Sequence, residues 1–507
     1  MRPNGILADF LATARANPDR TAIVANGQPL TYAGLAEWAQ TIAERLGPAP
    51  GVVGVPAAHS PGTVAALFGV WASGGTYCPV DPAFPTHRQE AMMRAAGCQT
   101  QLDTAGWPTP QTGRRATEDA NGRPTAQAGR DATGDGNEWP TPQADGSATE
   151  FAGAAEPVAY TLFTSGSTGE PKPVLTSHPA IATTVRSLRE LFGISPSDRV
   201  LQFASLNWDT CFEEILPTLT AGACLVLHDD AYTGSFPRLL RLIERERISV
   251  LNLPTAFWHE LVTYLGDEGA ALPARVRLVI IGGEAASPAR LADWSALPTG
   301  HARLLNTYGC TETTLITHAI DLHGPLAGKQ SDGASRVPIG RALPHVVEHV
   351  TGDGELLIGG PALADGYRGL PDATAERFVD VGGRRFFRTG DRVSRAPGGT
   401  LVHRGRVDHE VKIRGIRVDP AEVEAHIAGH PGVRAVLVTG VSVADHTALA
   451  AYVVPRCGGG GLAERIVEHL RGRVPAHLIP SRIHVVADLV YTGSGKVDRH
   501  RSKENLS

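Results

Sequence analysis

The segment from Tyr160 to Pro173, YTLFTSGSTGEPKP, carries the residue types that bind phosphate groups. An apolar run leads into glycines, several hydroxyl side chains and Lys172. Glycine lets the backbone bend around an anion, while Ser and Thr hydroxyls and backbone N–H groups donate to phosphate oxygens. The spacing of a Walker loop, G-x-x-x-x-G-K-[ST], is absent. The alternative interpretation is a Ser- and Gly-rich hairpin turn that binds nothing.

A second segment, FASLNWDTCFEEILPTL, places two carboxylates four residues apart, at Asp209 and Glu213. On a helix this spacing puts both side chains on one face. A buried carboxylate without a partner costs several kcal/mol, so Glu213 needs a cation or must stay protonated. Three alternatives stay open. In the first, Asp209 caps the helix. In the second, Glu213 binds water or Asn252, and in the third, Glu213 faces away from any pocket. The neighbouring Glu214 need not point inward.

Further motifs follow in order along nearly the whole chain. They are LTYAGL from Leu30, WASGGTYCPVDPAFP from Trp71, NTYGCTETT (306–314), GELLIGGPALADGY (354–367), FRTGDRV (387–393), GRVDHEVKIRGIRVDPAEVE (405–424), VPAHLIP (474–480) and TGSGKVDR (492–499). Together with the phosphate segment, they resemble the adenylate-forming superfamily of peptide-synthetase adenylation domains, acyl-CoA synthetases and luciferases. The chain looks most like a stand-alone nonribosomal peptide synthetase adenylation domain. It departs from the pattern at Pro173, where glycine is usual, and at His409–Glu410, where a polar–glutamine pair is commoner.

The resemblance implies that a substrate carboxylate attacks the α-phosphate of ATP and pyrophosphate leaves. Tyr308 would stack on adenine, Thr311 would contact the α-phosphate, and Glu312 would bind Mg²⁺. Lys496 would bridge the substrate carboxylate and the α-phosphate, although a solvated lysine is the simpler interpretation of a residue near the C-terminus. The remaining implied ATP and AMP contacts are Thr164, Ser165, Gly166, Ser167, Thr168, Gly169 and Lys172 for the phosphates, Asp391 for the ribose hydroxyls, and Asn306, Gly309 and Arg406 nearby.

The resemblance also implies an amino acid pocket in which Asp209 binds the α-ammonium group. Its lining would be Asp209, Thr210, Glu213, Asn252, Ile280, Gly282, Thr307, Leu315 and Ile316. Ile280, Leu315 and Ile316 suggest apolar walls, and Gly282 leaves room for length. With Glu213 at the side chain, the expected substrate is a diamino or basic amino acid: lysine, ornithine, a shorter diamino acid or β-lysine.

The resemblance implies two domains and two half-reactions. Residues 1–405 would form the large AMP-binding core, and residues 408–507 would form a small mobile lid that rotates at a hinge near Asp408. The rotation would withdraw Lys496 and bring in the phosphopantetheine thiol of a separate peptidyl carrier protein, with Gly415 lining its tunnel. The expected product would serve nonribosomal peptide synthesis in secondary metabolism, such as antibiotic biosynthesis.

The elements that would position these residues read as an α/β fold. ILADFLATARA and TYAGLAEWAQTIAERL have helical periodicity, the second with Thr31 as a cap, and TAIVA reads as a strand. Short apolar runs such as RVLQFA, ACLVLH, ISVLNLP and VRLVIIGG alternate with helical sequence, which indicates helix-covered, mainly parallel sheets. After the hinge, a helix–strand–strand–helix pattern predicts a small α+β domain.

A low-complexity insertion interrupts this pattern at residues 103–155. From Trp107 a 16-residue unit recurs three times, rich in Gly, Pro, Thr and Ala and poor in large aliphatic residues. A solenoid would need an apolar face in each unit, so we interpret the segment as a surface insertion.

Composition limits the other function classes. The net charge of −5 gives no electrostatic case for a nucleic-acid partner. The six scattered cysteines indicate neither a disulfide framework nor a zinc site. The sequence shows neither a signal-peptide pattern nor an apolar run long enough to span a bilayer, so we expect no membrane association and a cytoplasmic enzyme. Two other functions stay open: an acyl- or aryl-CoA ligase of the same superfamily, and a non-catalytic nucleotide-binding helper protein.

Overall fold

The computed structural model describes residues 5–102, 157–165, 170–328, 336–396, 398–408, 410–413, 415–443, 446–456, 460–490 and 502. The repeats within residues 103–155 and the predicted catalytic Lys496 lie outside these ranges, as do Gly166, Ser167, Thr168 and Gly169 of the phosphate segment. The described residues form a mixed α/β structure with a large N-terminal part and a smaller C-terminal part, which confirms the predicted fold class.

The helices and strands have the following bounds. The helices are α1 (Gly5–Ala16), α2 (Tyr32–Leu46), α3 (Pro61–Ala72), α4 (Thr86–Ala96), α5 (His178–Phe192), α6 (Thr210–Thr220), α7 (Phe236–Arg245), α8 (Thr255–Asp267), α9 (Pro288–Ala296), α10 (Pro371–Arg377), α11 (Pro420–Ala428) and α12 (Leu462–Arg471), with short 3-10 turns at Asp229–Tyr232, Thr311–Thr313 and Ala476–Leu478. The strands are β1 (Thr21–Ala25), β2 (Gln28–Thr31), β3 (Val52–Pro56), β4 (Thr76–Val80), β5 (Cys98–Gln101), β6 (Val158–Thr164), β7 (Lys172–Ser177), β8 (Arg199–Leu201), β9 (Cys224–Leu227), β10 (Val250–Pro254), β11 (Leu278–Gly282), β12 (Arg303–Gly309), β13 (Ile316–His323), β14 (Arg341–Ala342), β15 (Val347–Val350), β16 (Glu355–Gly359), β17 (Gly366–Tyr367), β18 (Phe378–Val381), β19 (Arg384–Arg395), β20 (Leu401–Arg406), β21 (Val411–Ile413), β22 (Ile416–Val418), β23 (Val433–Val443), β24 (His446–Pro455) and β25 (Arg482–Val485).

Two of the three sheets in the N-terminal part have parallel strands at their centres. One has the order β14-β13-β12-β11-β10-β8-β9-β1-β2, and its strands from β12 to β1 are parallel. A second sheet has the order β17-β7-β6-β4-β3-β5, and a third, antiparallel sheet contains β15, β16, β18, β19 and β20. Parallel strands place their carboxyl ends at one edge, which is where ligands bind in such sheets.

Side-chain alternation along β10 and β11 separates two hydrophobic cores. Leu251 and Leu253 pack with helices α7, α8 and α9 on one face, while Val250 packs with the helices on the other face. Because successive side chains of a strand point to opposite faces, Asn252 lies on the same side as Val250. That side is covered by α6, the helix that carries Glu213. Strand periodicity therefore places Asn252 beside the predicted carboxylates.

Several helices and strands are observed where local sequence patterns predict them. The Thr31 side chain accepts a hydrogen bond from the Gly34 N–H at 3.1 Å and caps α2, which buries Leu35, Trp38 and Ile42 on one face. The predicted strand TAIVA is β1, and the four apolar runs contain β8, β9, β10 and β11.

The C-terminal part has a hydrophobic core of its own. It is built around Val418, Val423, Val438 and Ile466, all beyond residue 410. Helices α11 and α12 cover β23 and β24, so the predicted helix–strand–strand–helix order is observed. The domain limits at residues 405 and 408 and the hinge at Asp408 stay predictions.

Candidate active site

The phosphate segment lies between two antiparallel strands. Strand β6 ends at Thr164, which pairs with Lys172 at the start of β7. The Lys172 Nζ lies 5.6 Å from the centre of the Tyr367 ring. Ser165 is engaged from the C-terminal part: its Oγ accepts the Asp419 N–H at 3.0 Å and donates to the Arg417 carbonyl at 3.2 Å. The hydroxyl of Ser165, the first residue after β6, is thus tied to β22 and to Asp419.

Tyr308 and Asp391 meet at the edge of the site. The Tyr308 hydroxyl donates to the Asp391 Oδ2 at 2.6 Å, and His403 and Arg406 contact the Asp391 Oδ1 at 3.1 and 2.8 Å. Burial opposes ionisation of Asp391, but the His403 hydrogen bond and the nearby cations Arg406 and Lys412 hold its pKa well below the usual range. The ionised Asp391 carboxylate therefore lies beside the Tyr308 ring. A carboxylate can accept hydrogen bonds from ribose hydroxyls, and an aromatic ring can stack on adenine.

An ion network extends from Arg406 through the predicted hinge residue. Arg406 donates to Asp408 and to Glu410, and Arg377 also contacts both carboxylates. Glu410 holds Arg417 through two hydrogen bonds, one of them 2.9 Å long. The resemblance predicts glutamine at the position of Glu410, and the observed carboxylate adds a negative charge to this network.

Glu312, the predicted Mg²⁺ ligand, is buried and already has partners. The Tyr367 hydroxyl donates to its Oε1 at 2.8 Å, and the Arg417 guanidinium lies 3.3 Å from its Oε2. A cation thus fits this carboxylate, because its partner in this arrangement is itself a cation. Arg417 and a metal ion would compete for the same oxygens.

The carboxylates of the substrate side lie at the start of α6. Asp209 occupies the N-cap position, with helical backbone angles, yet its side chain makes no capping hydrogen bond. Burial raises its pKa to about 6, while hydrogen bonds from the Thr311 hydroxyl and the Thr210 backbone lower it. The alternative role as a helix cap is therefore not realised. Its neighbour Thr311 is the residue that the resemblance assigns to the α-phosphate.

Glu213 lies one turn further into α6 and points at β10. The Asn252 Nδ2 donates to its Oε2 at 2.9 Å, and both side chains are buried. Burial, reinforced by the Asp209 charge, raises the pKa of Glu213 well above its usual value. Among the residues that the structure describes, neither Asp209 nor Glu213 forms an ion pair. The open alternative in which Glu213 binds Asn252 is therefore observed, and the carboxylate still lacks a counter-charge.

Glu214 has a different task. It accepts hydrogen bonds from the backbone N–H groups of Phe203 and Ala204 and from the Gln202 side chain. Burial raises its pKa to about 8. Glu214 thus fixes the segment that enters α6 and faces away from the carboxylate pair.

The structure places the other predicted pocket residues as follows, and it corrects one expectation about the space at Gly282. Ile280 lies beside Asn252 on β11, Ile316 and Leu315 are buried, and Thr210 begins α6. Gly282 does not leave the expected room: a Cβ there would lie 2.5 Å from the Thr307 Oγ1. Thr307 fills that space, because its hydroxyl donates to the Ile281 carbonyl at 2.9 Å. Asn306 donates to the Pro338 carbonyl, and Gly309 ends β12.

The C-terminal part contributes Lys412 and Arg417, which were not predicted as site residues, and Gly415, which was predicted to line the tunnel. The Lys412 Nζ lies 5.4 Å from the centre of the Tyr308 ring. The Gly415 N–H donates to the Glu284 Oε1 at 2.9 Å, and a Cβ on Gly283 would lie 2.9 Å from the Gly415 Cα. Lys412 and Arg417 both belong to the motif GRVDHEVKIRGIRVDPAEVE, which was the signal that could have identified them. The sequence does not show that this motif lies against Tyr308 and Glu312.

Two further contacts fix this arrangement of the two parts. A buried ion pair joins Arg88 of α4 to Glu422 of α11 at 2.8 Å. The Trp208 ring, next to Asp209, meets the His477 ring edge-on at 5.9 Å. The site is therefore covered by the C-terminal part through β21, β22 and α11.

Comparison with known proteins gives one consistent result. Residues 10–368 match the AMP-binding enzyme family, and residues 422–496 match the AMP-binding enzyme C-terminal domain. The chain is 39% identical to the isonitrile lipopeptide synthase of Streptomyces coeruleorubidus, over 98% of this chain and 33% of that protein. It is 34% identical to the phosphinothricin tripeptide synthetase PhsC of Streptomyces viridochromogenes, over 99% of this chain and 45% of that protein. The chain thus spans less than half the length of these relatives.

Solved structures agree on the fold. The artificially fused adenylation–PCP di-domain NpsA-ThdA from Klebsiella oxytoca superposes with a TM-score of 0.76 at 25% identity, covering 95% of this chain and 94% of that chain. The o-succinylbenzoate CoA synthetase of Bacillus subtilis superposes with a TM-score of 0.80 at 18% identity, over 99% of this chain and 98% of that chain, which shows a shared fold alone. Among the described residues, no helix has the length and apolar character needed to cross a membrane.

Proposed function

Since the chain belongs to the AMP-binding enzyme family of adenylate-forming ligases, and resembles peptide-synthetase adenylation domains within it, we propose that it activates an amino acid as its aminoacyl-AMP. The observation that carries this proposal is the position of Asp209 beside Thr311, whose hydroxyl lowers the pKa of the Asp209 carboxyl. This position brings a half-buried carboxylate, suited to an α-ammonium group, next to the residue expected at the α-phosphate. An amino acid held by Asp209 would thus have its carboxylate close to ATP.

In the first half-reaction a substrate carboxylate oxygen attacks the α-phosphorus of ATP. The bond from that phosphorus to the bridging oxygen breaks, and pyrophosphate leaves. Positioning and neutralisation of charge supply most of the catalysis. Asp391 and Tyr308 would hold the ribose and the adenine, Ser165 and Lys172 the departing phosphates, and Lys496 the reacting oxygens.

Glu312 is the residue that we assign to Mg²⁺. A divalent cation there would neutralise the phosphate oxygens and assist the leaving pyrophosphate. Because Arg417 contacts Glu312 in the present arrangement, the C-terminal part must move for the first half-reaction. This supports rotation near Asp408, since Arg417 lies nine residues beyond it in the C-terminal part.

In the second half-reaction the thiol sulfur of a phosphopantetheine arm attacks the aminoacyl carbonyl carbon, and AMP leaves with the bonding electrons. In support of this step, Gly415, which the resemblance expects to line the tunnel for the arm, lies at the site against Gly283. We propose a peptidyl carrier protein in trans as the acceptor.

The Glu213 carboxylate, which has no cationic partner among the described residues, supports a diamino or basic amino acid as substrate. A second ammonium group would supply that counter-charge, and Asn252 would retain its hydrogen bond to the same carboxylate. Lysine, ornithine, a shorter diamino acid and β-lysine all satisfy this condition. An acyl- or aryl-CoA ligase shares the fold, as the Bacillus subtilis CoA synthetase illustrates, but its substrates lack an α-ammonium group for Asp209.

ATP–pyrophosphate exchange tests the proposal. We expect exchange with diamino acids and none with fatty or aryl acids, and we expect Asp209→Asn to remove it. Exchange driven by a fatty or benzoic acid and unaffected by Asp209→Asn would favour a CoA ligase instead. Nucleotide binding without exchange for any carboxylic acid would favour a helper protein.

A further inference from the structure

Asp209 and Glu213 are separated by one helical turn. The backbone of Asp209 has φ −59° and ψ −29°, so the helical path of α6 already includes it. Four residues of an α-helix rise about 6 Å, and side chains at this spacing lie on one face with Cβ atoms about 5–6 Å apart. The distance between the two carboxylates is thus set by a rigid element.

The Glu213 end of this span is also held by a side chain. The Asn252 amide donates to the Glu213 carboxylate at 2.9 Å. Asn252 itself is fixed within β10, where its neighbours Leu251 and Leu253 are buried in the opposite core. Glu213 cannot swing far without losing this hydrogen bond, and Asp209 is placed by the helical backbone to which it belongs.

The surrounding wall offers little room for a bent side chain. Ile280, beside Asn252, is 1% exposed, and Thr307 fills the space next to Gly282. A substrate chain that is too long for the span would have to bend against these side chains. One that is too short would leave Glu213 without a counter-charge.

We propose, resting on the proposed function above, that this site selects its substrate by the distance between two ammonium groups and prefers ornithine, whose second amine is on the δ-carbon. Five bonds separate its two nitrogens, which span about 6 Å when extended. Three bonds, as in 2,3-diaminopropionate, span under about 4 Å, and six bonds, as in lysine, span about 7.5 Å and must bend. The span of ornithine matches one turn of α6.

The experiment measures kcat/KM for ATP–pyrophosphate exchange across 2,3-diaminopropionate, 2,4-diaminobutyrate, ornithine and lysine, with norvaline as the chain without the second amine. We expect ornithine to lead lysine and 2,3-diaminopropionate by at least about 10-fold, the value of one misplaced methylene. Glu213→Asp withdraws the carboxylate by about one C–C bond, so its optimum should move to lysine. Glu213→Gln should flatten the dependence on chain length.

The outcomes separate the two proposals. If lysine leads in the wild type, or if Glu213→Asp retains the ornithine optimum, the distance argument is overturned while diamino acid activation stands. If norvaline or another neutral amino acid leads, the diamino substrate itself is wrong. Thermal unfolding of each variant shows whether it folds. Should Glu213→Asp not fold, the wild-type series alone decides between ornithine and lysine.

Discussion

Replacing Asp391 by Asn tests the assignment of the ribose site. The Asp391 carboxylate is buried and accepts hydrogen bonds from Tyr308, His403 and Arg406. Asn keeps the size of the side chain and removes its charge. Arg406 retains Asp408 and Glu410, so the substitution does not leave a buried cation unpaired. We therefore expect the variant to fold.

The expected loss follows from the bonds that a ribose would make. Hydrogen bonds to charged groups contribute about 1.5–3 kcal/mol each, so losing the charge should weaken nucleotide binding by roughly 10- to 150-fold. Calorimetric titration with ATP measures this directly, and ATP–pyrophosphate exchange should fall in parallel. The pKa of Asp391 lies far below neutrality, so the wild-type affinity should not change between pH 6 and 8 through this group.

A matched control uses the same exchange of carboxylate for amide in another ion pair. Asp321 of β13 forms an ion pair with Arg303 of β12, away from the site. The variant Asp321→Asn should therefore retain the nucleotide affinity of the wild type. If Asp391→Asn binds ATP as tightly as this control does, Asp391 does not hold the ribose.

Three further predictions concern other parts of the chain. Lys496→Ala should lower aminoacyl-AMP formation by about 10²–10³-fold while ATP affinity is retained, and adenylation near the wild-type rate would remove Lys496 from the reaction. Deleting residues 107–154 should leave solubility and exchange activity nearly unchanged, because each doubling of loop length costs only about 0.6 kcal/mol; loss of either would show that the repeats pack or bind. Asp209→Asn should abolish exchange yet stabilise the protein at pH 7.5. Burial raises the pKa of Asp209 to about 6, above its unfolded value, so the folded wild type loses stability as the pH rises through that range. We expect a gain of about 1–2 kcal/mol, in the lower part of the range because the side chain is only half-buried, and the gain should vanish near pH 4. Thermal unfolding at both pH values measures it, and an unchanged or lower Tm at pH 7.5 would contradict the reasoning.

Local physics made much of the fold predictable. The cap at Thr31 depends on residues three positions apart, and the shared face of Asp209 and Glu213 depends only on the helical period. The family resemblance implied that Tyr308 and Asp391 bind parts of one nucleotide, and the Tyr308 hydroxyl lies 2.6 Å from the Asp391 Oδ2.

Other features depend on register between distant elements. The hydrogen bond from Asn252 to Glu213 requires β10 and α6 to pack at one particular level, and the contact of Arg417 with Glu312 joins residues 105 positions apart. The sequence suggested open space beside Gly282 because glycine has no side chain. The Thr307 side chain fills that space, and Thr307 belongs to another strand, so its position is not visible in the sequence around Gly282. Such pairings follow from tertiary packing, which no local pattern encodes.

The close approach of Gly283 and Gly415 limits which substitutions this sequence can accept during evolution. Two backbones from different parts of the chain touch there, and a Cβ on Gly283 would lie 2.9 Å from the Gly415 Cα. Gly283 also has a φ of +84°, which few other residues adopt. A lineage could therefore vary many surface positions freely, but one added methyl group here would exclude the covered arrangement. Parting the two backbones would relieve the clash with Gly415, but the strain of the positive φ at Gly283 would remain.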